Sequence, residues 1–157
     1  MSFKGLQKTF TYTQINNESA EEVFPLLCPV REKDWLYGWE YTMIHSKSGL
    51  IEKDCVFTSP YINGVETVWQ VTQYDPENHH IEFVRFSGSD NIVKINIQLE
   101  ELNKYKTKAH ISYQYTALNK EQNSFLEEEL EQLFTQSMEW WEQAINFYLA
   151  TGKMLEP

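Results

Sequence analysis

The sequence predicts an α+β fold in which one curved antiparallel sheet of six or seven strands wraps around a long C-terminal helix. Two observations carry this prediction. Between residues 8 and 117, several short segments have apolar residues at every second position, which is typical of half-buried strands. From about Lys120 to Ala150 neither Gly nor Pro occurs, and apolar residues recur at helical spacing. A sheet and a helix that each have one apolar face are expected to cover one another.

The N-terminal part predicts one strand followed by two short helices. Residues 8–16 are β-rich and partly alternating. The segment Ser19–Glu22 matches a capping box, which begins a helix. Pro25 falls inside that helix and keeps it short or bent. Residues 29–35, PVREKDW, can add a second short helix.

A long β region follows the two short helices. Turn signals occur at Tyr61–Gly64, where Asn and Gly tolerate positive φ, and at Asp75–Asn78. The segments between such breaks favour strands because they are rich in β-branched and aromatic residues. The predicted strands two to five cover residues 41–46, 54–59, 65–74 and 80–86.

Strands six and seven carry the clearest alternation. In residues 91–102 the apolar face contains Val93, Ile95, Ile97 and Leu99. In residues 108–117 the same pattern places Ala109, Ile111, Tyr113, Tyr115 and Ala117 on one face. Both segments therefore predict strands with one face in the core and one face in water. A single β-bulge would exchange these faces.

The C-terminal helix is predicted over residues 120–150, about 45 Å at 1.5 Å per residue. Thr151 and Gly152 form a typical C-terminal stop. The predicted apolar stripe, which should face the sheet, comprises Leu126, Leu130, Leu133, Ser137, Trp140, Trp141, Ala144 and Tyr148.

Length and charge limit the class of protein. A chain of 157 residues is expected to form a single domain, 1–157. The formal net charge of −10 argues against nucleic acid as a partner, because phosphates are bound by Lys and Arg. No run of about 18 apolar residues occurs, so we expect no stable membrane insertion. With no signal-peptide pattern, we expect a cytoplasmic protein in which Cys28 and Cys55 are free thiols.

Motifs of catalysis and metal binding are absent from the sequence. It contains no GxSxG, P-loop, GxGxxG or HExxH pattern. His79 and His80 are adjacent, so on a strand they point to opposite faces and cannot share one metal ion. We therefore expect neither a metal nor a cofactor, and the sequence assigns no catalytic residue.

The stretch REKDWLYGWEY, residues 31–41, places four large aromatic side chains at every second position. Each ring can bury roughly 150–250 Å², so an uncovered group would exceed the apolar patch of an ordinary monomer. The core, a partner or a ligand must cover these rings.

Four stretches form a recognisable set of motifs. The sharpest is Pro29-x-x-Glu32-x-x-Trp35-x-x-Gly38-Trp39, and the others are Cys55–Thr58, Trp69–Pro76 and Tyr113–Leu118. These stretches resemble sequences found in the START-like, or SRPBCC, superfamily. Members of this superfamily have a helix-grip fold. The resemblance implies a cavity between the sheet and the long helix, with Trp35 and Trp39 near one end of it.

The resemblance also implies a set of residues that line the cavity and contact a ligand. Arg85 shares its predicted face with Ile81 and Phe83, so its charge needs a protein carboxylate, an anionic ligand group or a route to water. Tyr113 and Tyr115 can bond to a ligand, act as acids or remain core residues. The predicted ligand-binding residues are Trp39, Phe57, Trp69, Phe83, Arg85, Tyr113, Tyr115, Leu133 and Trp141.

Three functions fit these expectations. The first is binding or transport of a hydrophobic or amphipathic small molecule. The second is a metal-independent enzyme of cyclase, dehydratase or isomerase type that acts on a polyketide-like or aromatic substrate. The third is a protein-interaction module like the chaperone-ATPase activators of the superfamily. The fold alone cannot choose among them.

Overall fold

Seven strands form one antiparallel sheet in the computed structural model, which describes residues 2–60 and 66–157. The strands are β1 (Gln7–Asn16), β2 (Thr42–His45), β3 (Val56–Ser59), β4 (Thr67–Asp75), β5 (His80–Ser87), β6 (Asn91–Asn103) and β7 (Lys106–Ala117). Their order across the sheet is β1-β7-β6-β5-β4-β3-β2. The two longest strands, β6 and β7, pair with each other. β1 pairs with the other side of β7 and forms one edge of the sheet. The predicted curved sheet with a C-terminal helix is confirmed.

The strand bounds differ slightly from the predicted ones. The predicted turn Tyr61–Gly64, and residue 65 of the predicted fourth strand, lie outside the described residues. Before β3, Asp54 has a φ of 73°, so the strand begins two residues later than predicted.

Two short helices, α1 (Ala20–Val23) and α2 (Pro29–Trp35), lie between β1 and β2, with a 3₁₀ turn at Phe24–Leu27 between them. The Ser19 side chain accepts a hydrogen bond from the Glu22 backbone N–H at 3.4 Å, as a capping box requires. Glu18, rather than Glu22, accepts the Ser19 backbone N–H at 3.3 Å. Pro25 stands in the 3₁₀ turn, which agrees with the predicted interruption.

The C-terminal helix is divided at Glu129 into α3 (Lys120–Glu128) and α4 (Leu130–Thr151). The sequence predicted one uninterrupted helix, because it contains no Gly or Pro there. Glu129 has φ −124° and ψ −32°, outside helical values. α4 ends at Gly152, whose φ of 71° is the predicted left-handed stop.

The predicted apolar stripe is wrong at two positions, Leu133 and Ser137, which are both exposed. The buried side chains are Leu126, Leu130, Phe134 and Met138, each four residues from the last, whereas Leu133 is 46% exposed. Spacings of three and four are both helical, and the adjacent Leu133 and Phe134 fit the pattern equally well from sequence. Leu133 is therefore wrong as a buried stripe residue.

One cross-strand row on the concave face brings cavity residues together. Phe57 is paired with Trp69, Trp69 with Arg85, Arg85 with Val93, and Val93 with Tyr115. Residues paired in this way share one face of the sheet. The adjacent row contains Val71, Phe83, Ile95 and Tyr113.

A β-bulge in β4 lies beyond these rows. The pairing of β4 with β5 shifts between Val71 and Gln73, and the Thr72 hydroxyl donates to the Glu82 carboxylate at 2.8 Å. The shift turns Tyr74 to the concave face, where it stacks on Phe24 at 5.9 Å. Trp69 precedes the bulge, so its predicted face is unchanged.

Polar contacts with β1 fix the position of α4. Glu142 accepts hydrogen bonds from the Tyr12 hydroxyl and the Ile15 backbone N–H, both at 2.7 Å. The Asn146 amide donates to the Ile15 carbonyl at 2.8 Å and accepts from the Asn17 N–H at 3.0 Å. These bonds hold α4 across the sheet. None of the helices in the described part of the chain is long and apolar enough to cross a membrane.

Candidate ligand cavity

A cavity of about 290 Å³ lies between the concave face of the sheet, α2 and α4. Its size is at the lower end of the range for small-molecule sites, and its wall is mostly apolar and aromatic. Residues of α2, of the loop that follows it, of five strands and of α4 meet there, so only the fold assembles it. Seven of the predicted ligand-binding residues line this lobe: Trp39, Phe57, Trp69, Phe83, Arg85, Tyr113 and Trp141.

A second lobe of about 360 Å³ adjoins the first, towards α3. Both lobes are lined by Arg85, Tyr113, Ser137 and Met138, which therefore stand at their junction. The two remaining predicted residues, Tyr115 and Leu133, line the second lobe. Leu133 reaches it from the exposed side of α4. The structure thus brings the nine predicted residues around two adjacent spaces, and their role in ligand binding remains a prediction.

Stacked aromatic rings form one wall of the first lobe. The Trp69 ring is parallel to the Phe57 ring at 5.5 Å, and the Trp39 and Phe83 rings meet it edge-on at 5.9 Å and 6.0 Å. The Trp69 indole N–H donates to the Ser59 hydroxyl at 2.9 Å. The Trp39 indole N–H donates to the Pro29 carbonyl at 2.9 Å. Because protein acceptors take both N–H groups, these indoles present only apolar surface to a ligand.

The alternating aromatics of residues 35–41 do not share one face. Trp35 ends α2 and is fully buried, its indole N–H donating to the Leu26 carbonyl at 2.8 Å and its ring 5.2 Å from Trp141. Gly38 has a φ of 80°, which forms the turn after the helix. Tyr37 is 53% exposed, while Trp39 reaches the cavity. Core and cavity therefore cover most, but not all, of these rings.

Arg85 places a positive charge among aromatic rings at the junction of the lobes. Its guanidinium carbon lies 5.2 Å from the centre of the Trp69 ring and 5.8 Å from that of Tyr113. One terminal nitrogen donates to the Tyr115 hydroxyl at 3.3 Å. Within the described ranges Arg85 has no carboxylate partner, and its buried Nε–H has no acceptor. Such a group is suited to hold an anion.

Glu32 is a cavity residue that the sequence analysis named only within the resemblance motif and did not assign to the ligand site. It lies on α2 and lines the first lobe, and burial raises the pKa of its carboxyl to about 8. The helical spacing could have indicated that Glu32 faces the cavity. Glu32 precedes the buried Trp35 by three residues and the cavity residue Leu36 by four, so it lies on the same side of α2.

Other ionisable groups near the cavity stay uncharged at neutral pH. Burial raises the pKa of the Tyr113 phenol well above its usual value, although the Arg85 charge acts in the opposite direction. Burial and the neighbouring Glu32 raise the pKa of the Cys28 thiol to about 12. Cys28 and Cys55 are both buried free thiols, so Cys28 lacks the thiolate character of a nucleophile.

The histidines stand apart from the cavity wall. His79 has a φ of 55° and packs edge-on against Phe24 at 5.6 Å, while His80 bonds to the Asn96 amide at 2.9 Å. In residues 2–60 and 66–157, no three His, Cys, Asp or Glu side chains are grouped to hold a metal ion.

Comparison with protein families and curated proteins gives no match by sequence. Solved structures do match the fold. Norcoclaurine synthase from Thalictrum flavum, in complex with dopamine and hydroxybenzaldehyde, superposes with a TM-score of 0.70 at 14% identity. The match covers 96% of this chain and 90% of the synthase.

Two further solved structures, which carry different names, also match the fold. Ara h 8.0201 gives a TM-score of 0.68 at 13% identity, covering 93% of this chain and 99% of its own. The Zhui aromatase/cyclase from Streptomyces sp. R1128 gives a TM-score of 0.69 at 11% identity. This match covers 96% of this chain and 100% of the aromatase/cyclase. At such low identity a likeness establishes the fold but no activity. The chain therefore has the helix-grip fold that these solved structures share.

Proposed function

We propose that this protein binds, and can carry, an amphipathic small molecule whose apolar body fills the aromatic lobe and whose anionic group meets Arg85. The observation that supports this most directly is that Arg85 lines an apolar cavity, has no carboxylate partner among the described residues, and has a buried Nε–H without an acceptor. A buried donor without an acceptor is costly, and an anionic ligand would supply that acceptor.

The surroundings of Arg85 explain how the charge is maintained without a carboxylate. Three aromatic rings lie within about 6 Å of the guanidinium, and cation–π contacts in a desolvated site contribute about 2 kcal/mol. The rings offer no hydrogen-bond acceptor to the buried Nε–H, which has none in the structure. A carboxylate or a similar planar anion would supply that acceptor.

An enzyme of cyclase, dehydratase or isomerase type is the second candidate, and Glu32 is the observation that favours it. A carboxyl with a pKa of about 8 can give or take a proton near neutral pH. Two of the matching structures are named as a synthase and an aromatase/cyclase, so the fold also accommodates catalysis. Conversion of a bound ligand to a product that chromatography separates from it would decide for the enzyme.

The binding proposal is tested by comparing an anion with a neutral molecule of similar shape. We expect 2-naphthoate to quench tryptophan emission, because Trp69 and Trp141 line the cavity. Arg85→Met should weaken 2-naphthoate at least about tenfold, which corresponds to 1.4 kcal/mol. The same variant should change the affinity for neutral 2-acetonaphthone by much less.

Arg31→Met is the matched control. It also removes one arginine, but Arg31 is about half exposed on α2 and pairs with Asp34 at 2.8 Å. Equal losses of 2-naphthoate affinity in the two variants would show that net charge, rather than the cavity cation, attracts the anion. No binding of 2-naphthoate to the wild type would contradict the anionic-ligand proposal.

A further inference from the structure

We infer that Glu32 is a second polar anchor of the cavity, which donates a hydrogen bond to an uncharged oxygen of the ligand while Arg85 holds the ligand's anionic group. The ligand class is then an aromatic anion that also carries a carbonyl oxygen. This inference rests on the proposed function and names the chemistry that the same cavity selects.

Position is the first argument. Glu32 projects from α2 and Arg85 from β5, and both line the same lobe of about 290 Å³. Within the part of the chain that the structure describes, the two side chains form no ion pair. A ligand that fills the lobe can therefore contact both groups.

The charge state of Glu32 is the second argument. Burial is the cause that raises the pKa of its carboxyl, with no hydrogen bond or charged partner contributing. The titratable groups near it are the Cys28 thiol before α2, the Tyr113 phenol on β7 and the Arg85 cation on β5. The α4 residues that line this lobe, Ser137, Met138, Trp140 and Trp141, carry no charge. At neutral pH Glu32 is thus mainly a neutral acid with an O–H to donate.

The third argument is the kind of polar group that the lobe offers. The Arg85 Nε–H is a buried donor without an acceptor, and protonated Glu32 adds a second donor. The indole N–H groups of Trp39 and Trp69 already have protein acceptors. A wall that offers unused donors discriminates strongly in favour of a ligand with oxygen acceptors.

Two naphthoates of nearly equal shape test the inference. In 6-acetyl-2-naphthoate a carbonyl oxygen stands where 6-isopropenyl-2-naphthoate has a CH₂ group. Calorimetry near pH 6.5 should show wild type preferring the acetyl compound by about tenfold, a typical gain for one hydrogen bond in a dry site. Glu32→Gln keeps an N–H donor and should retain most of the preference. Glu32→Met should lose it.

The pH dependence gives a readout that a purely structural role of Glu32 would not produce. Near pH 9.5 wild-type Glu32 is ionised, can no longer donate, and repels the naphthoate. The preference for the acetyl compound should then disappear in wild type but persist in Glu32→Gln. A preference that is unchanged by pH, or by Glu32→Met, overturns the inference.

A cationic ligand is the main competing interpretation of a buried carboxyl. It predicts that 6-aminomethyl-2-naphthoate binds wild type more tightly than the acetyl compound does, and that result would overturn the hydrogen-bond inference. If 2-naphthoate binds in an Arg85-dependent manner but the acetyl group adds nothing, the inference alone fails. If no naphthoate binds, the proposed function fails and the inference falls with it.

A measurement without ligand checks the charge state separately. In protein labelled with ¹³C at glutamate carboxyls, the resonance that disappears in Glu32→Gln belongs to Glu32. It should titrate with a midpoint near 8. Titration near 4.3, the ordinary value for a glutamate, would show that Glu32 is a carboxylate at neutral pH and would overturn the inference.

Discussion

Aromatic side chains that are close together in residues 35–41 have very different surroundings at the scale of the single residue. Trp35 is fully buried and hydrogen-bonded, Trp39 lines the cavity, and Tyr37 is 53% exposed. Alternation along the chain did not separate them, because the segment ends a helix and turns at Gly38 rather than forming a strand.

Replacing Trp35 should therefore destabilise the fold, while replacing Tyr37 should not. Trp35→Phe leaves a gap beside Trp141 and removes the donor to the buried Leu26 carbonyl. We expect a loss of about 2–3 kcal/mol in the free energy of unfolding. Tyr37→Phe, the matched control, should stay within about 0.5 kcal/mol of wild type. Urea denaturation measures both, and equal effects would contradict the assigned burial.

Arg85 and Glu32 show what residue-level sequence analysis can and cannot find. Arg85 was placed on the concave face because β5 alternates regularly and no register shift separates Trp69, Arg85 and Val93. Glu32 was overlooked because an acidic residue in the first turn of a short helix is ordinarily an exposed, helix-stabilising one. Its carboxyl lines a cavity that forms only where α2, α4 and the sheet meet, and no local sequence pattern indicates this.

At the scale of the element, the C-terminal helix is divided, yet its buried series keeps the same spacing across the break. The break at Glu129 separates α3 from α4, and the buried series continues through Leu130, Phe134 and Met138. The sequence predicted the helix and its end at Gly152, since both depend on local residues. It did not predict the break, because Glu129 is compatible with a helix and only packing interrupts it there.

Adjacent residues on α4 provide a test of the corrected stripe. Phe134 is 5% exposed and packs on Phe10 and Tyr113, with ring centres at 5.6 Å and 5.2 Å. Phe134→Ala should reduce the free energy of unfolding by about 3–5 kcal/mol. Leu133→Ala removes a side chain that is 46% exposed and should cost about 1 kcal/mol or less. If denaturant unfolding showed a larger loss of stability for Leu133→Ala than for Phe134→Ala, Leu133 would be the buried residue, as the sequence predicted.

At the scale of the whole molecule, the order of elements was predictable, and the cavity was expected only through the resemblance. The change from period two to period 3.6 near Leu118 separates sheet from helix, and one apolar face on each requires them to pack. The charge balance within the cavity was not predictable. It depends on which ionisable groups the closed fold removes from water and leaves without partners.

Burial of Glu32 links the stability of the whole fold to pH. The pKa of its carboxyl is about 8 in the folded protein and ordinarily about 4.3 in an unfolded chain. The folded state therefore binds more protons between these values, and stability must fall as pH rises through this window. Glu52 affects stability in a different pH range. Hydrogen bonds from the Ser48 side chain and from the backbone N–H groups of Ser48 and Lys47 lower its pKa to about 2. Its contribution is lost only as pH falls below about 4.3.

Comparing wild type with Glu32→Gln isolates the effect of Glu32. From pH 5 to pH 8, wild type should lose at least about 1.4 kcal/mol more stability than the variant, the equivalent of one pKa unit. Glu156→Gln, at an exposed site near the C-terminus, should follow wild type. Because Cys28 and Tyr12 have pKa values raised to about 12, their folded-state titration lies above this range. Parallel urea-unfolding curves for wild type and Glu32→Gln across these pH values would mean that the carboxyl is ionised in the folded protein.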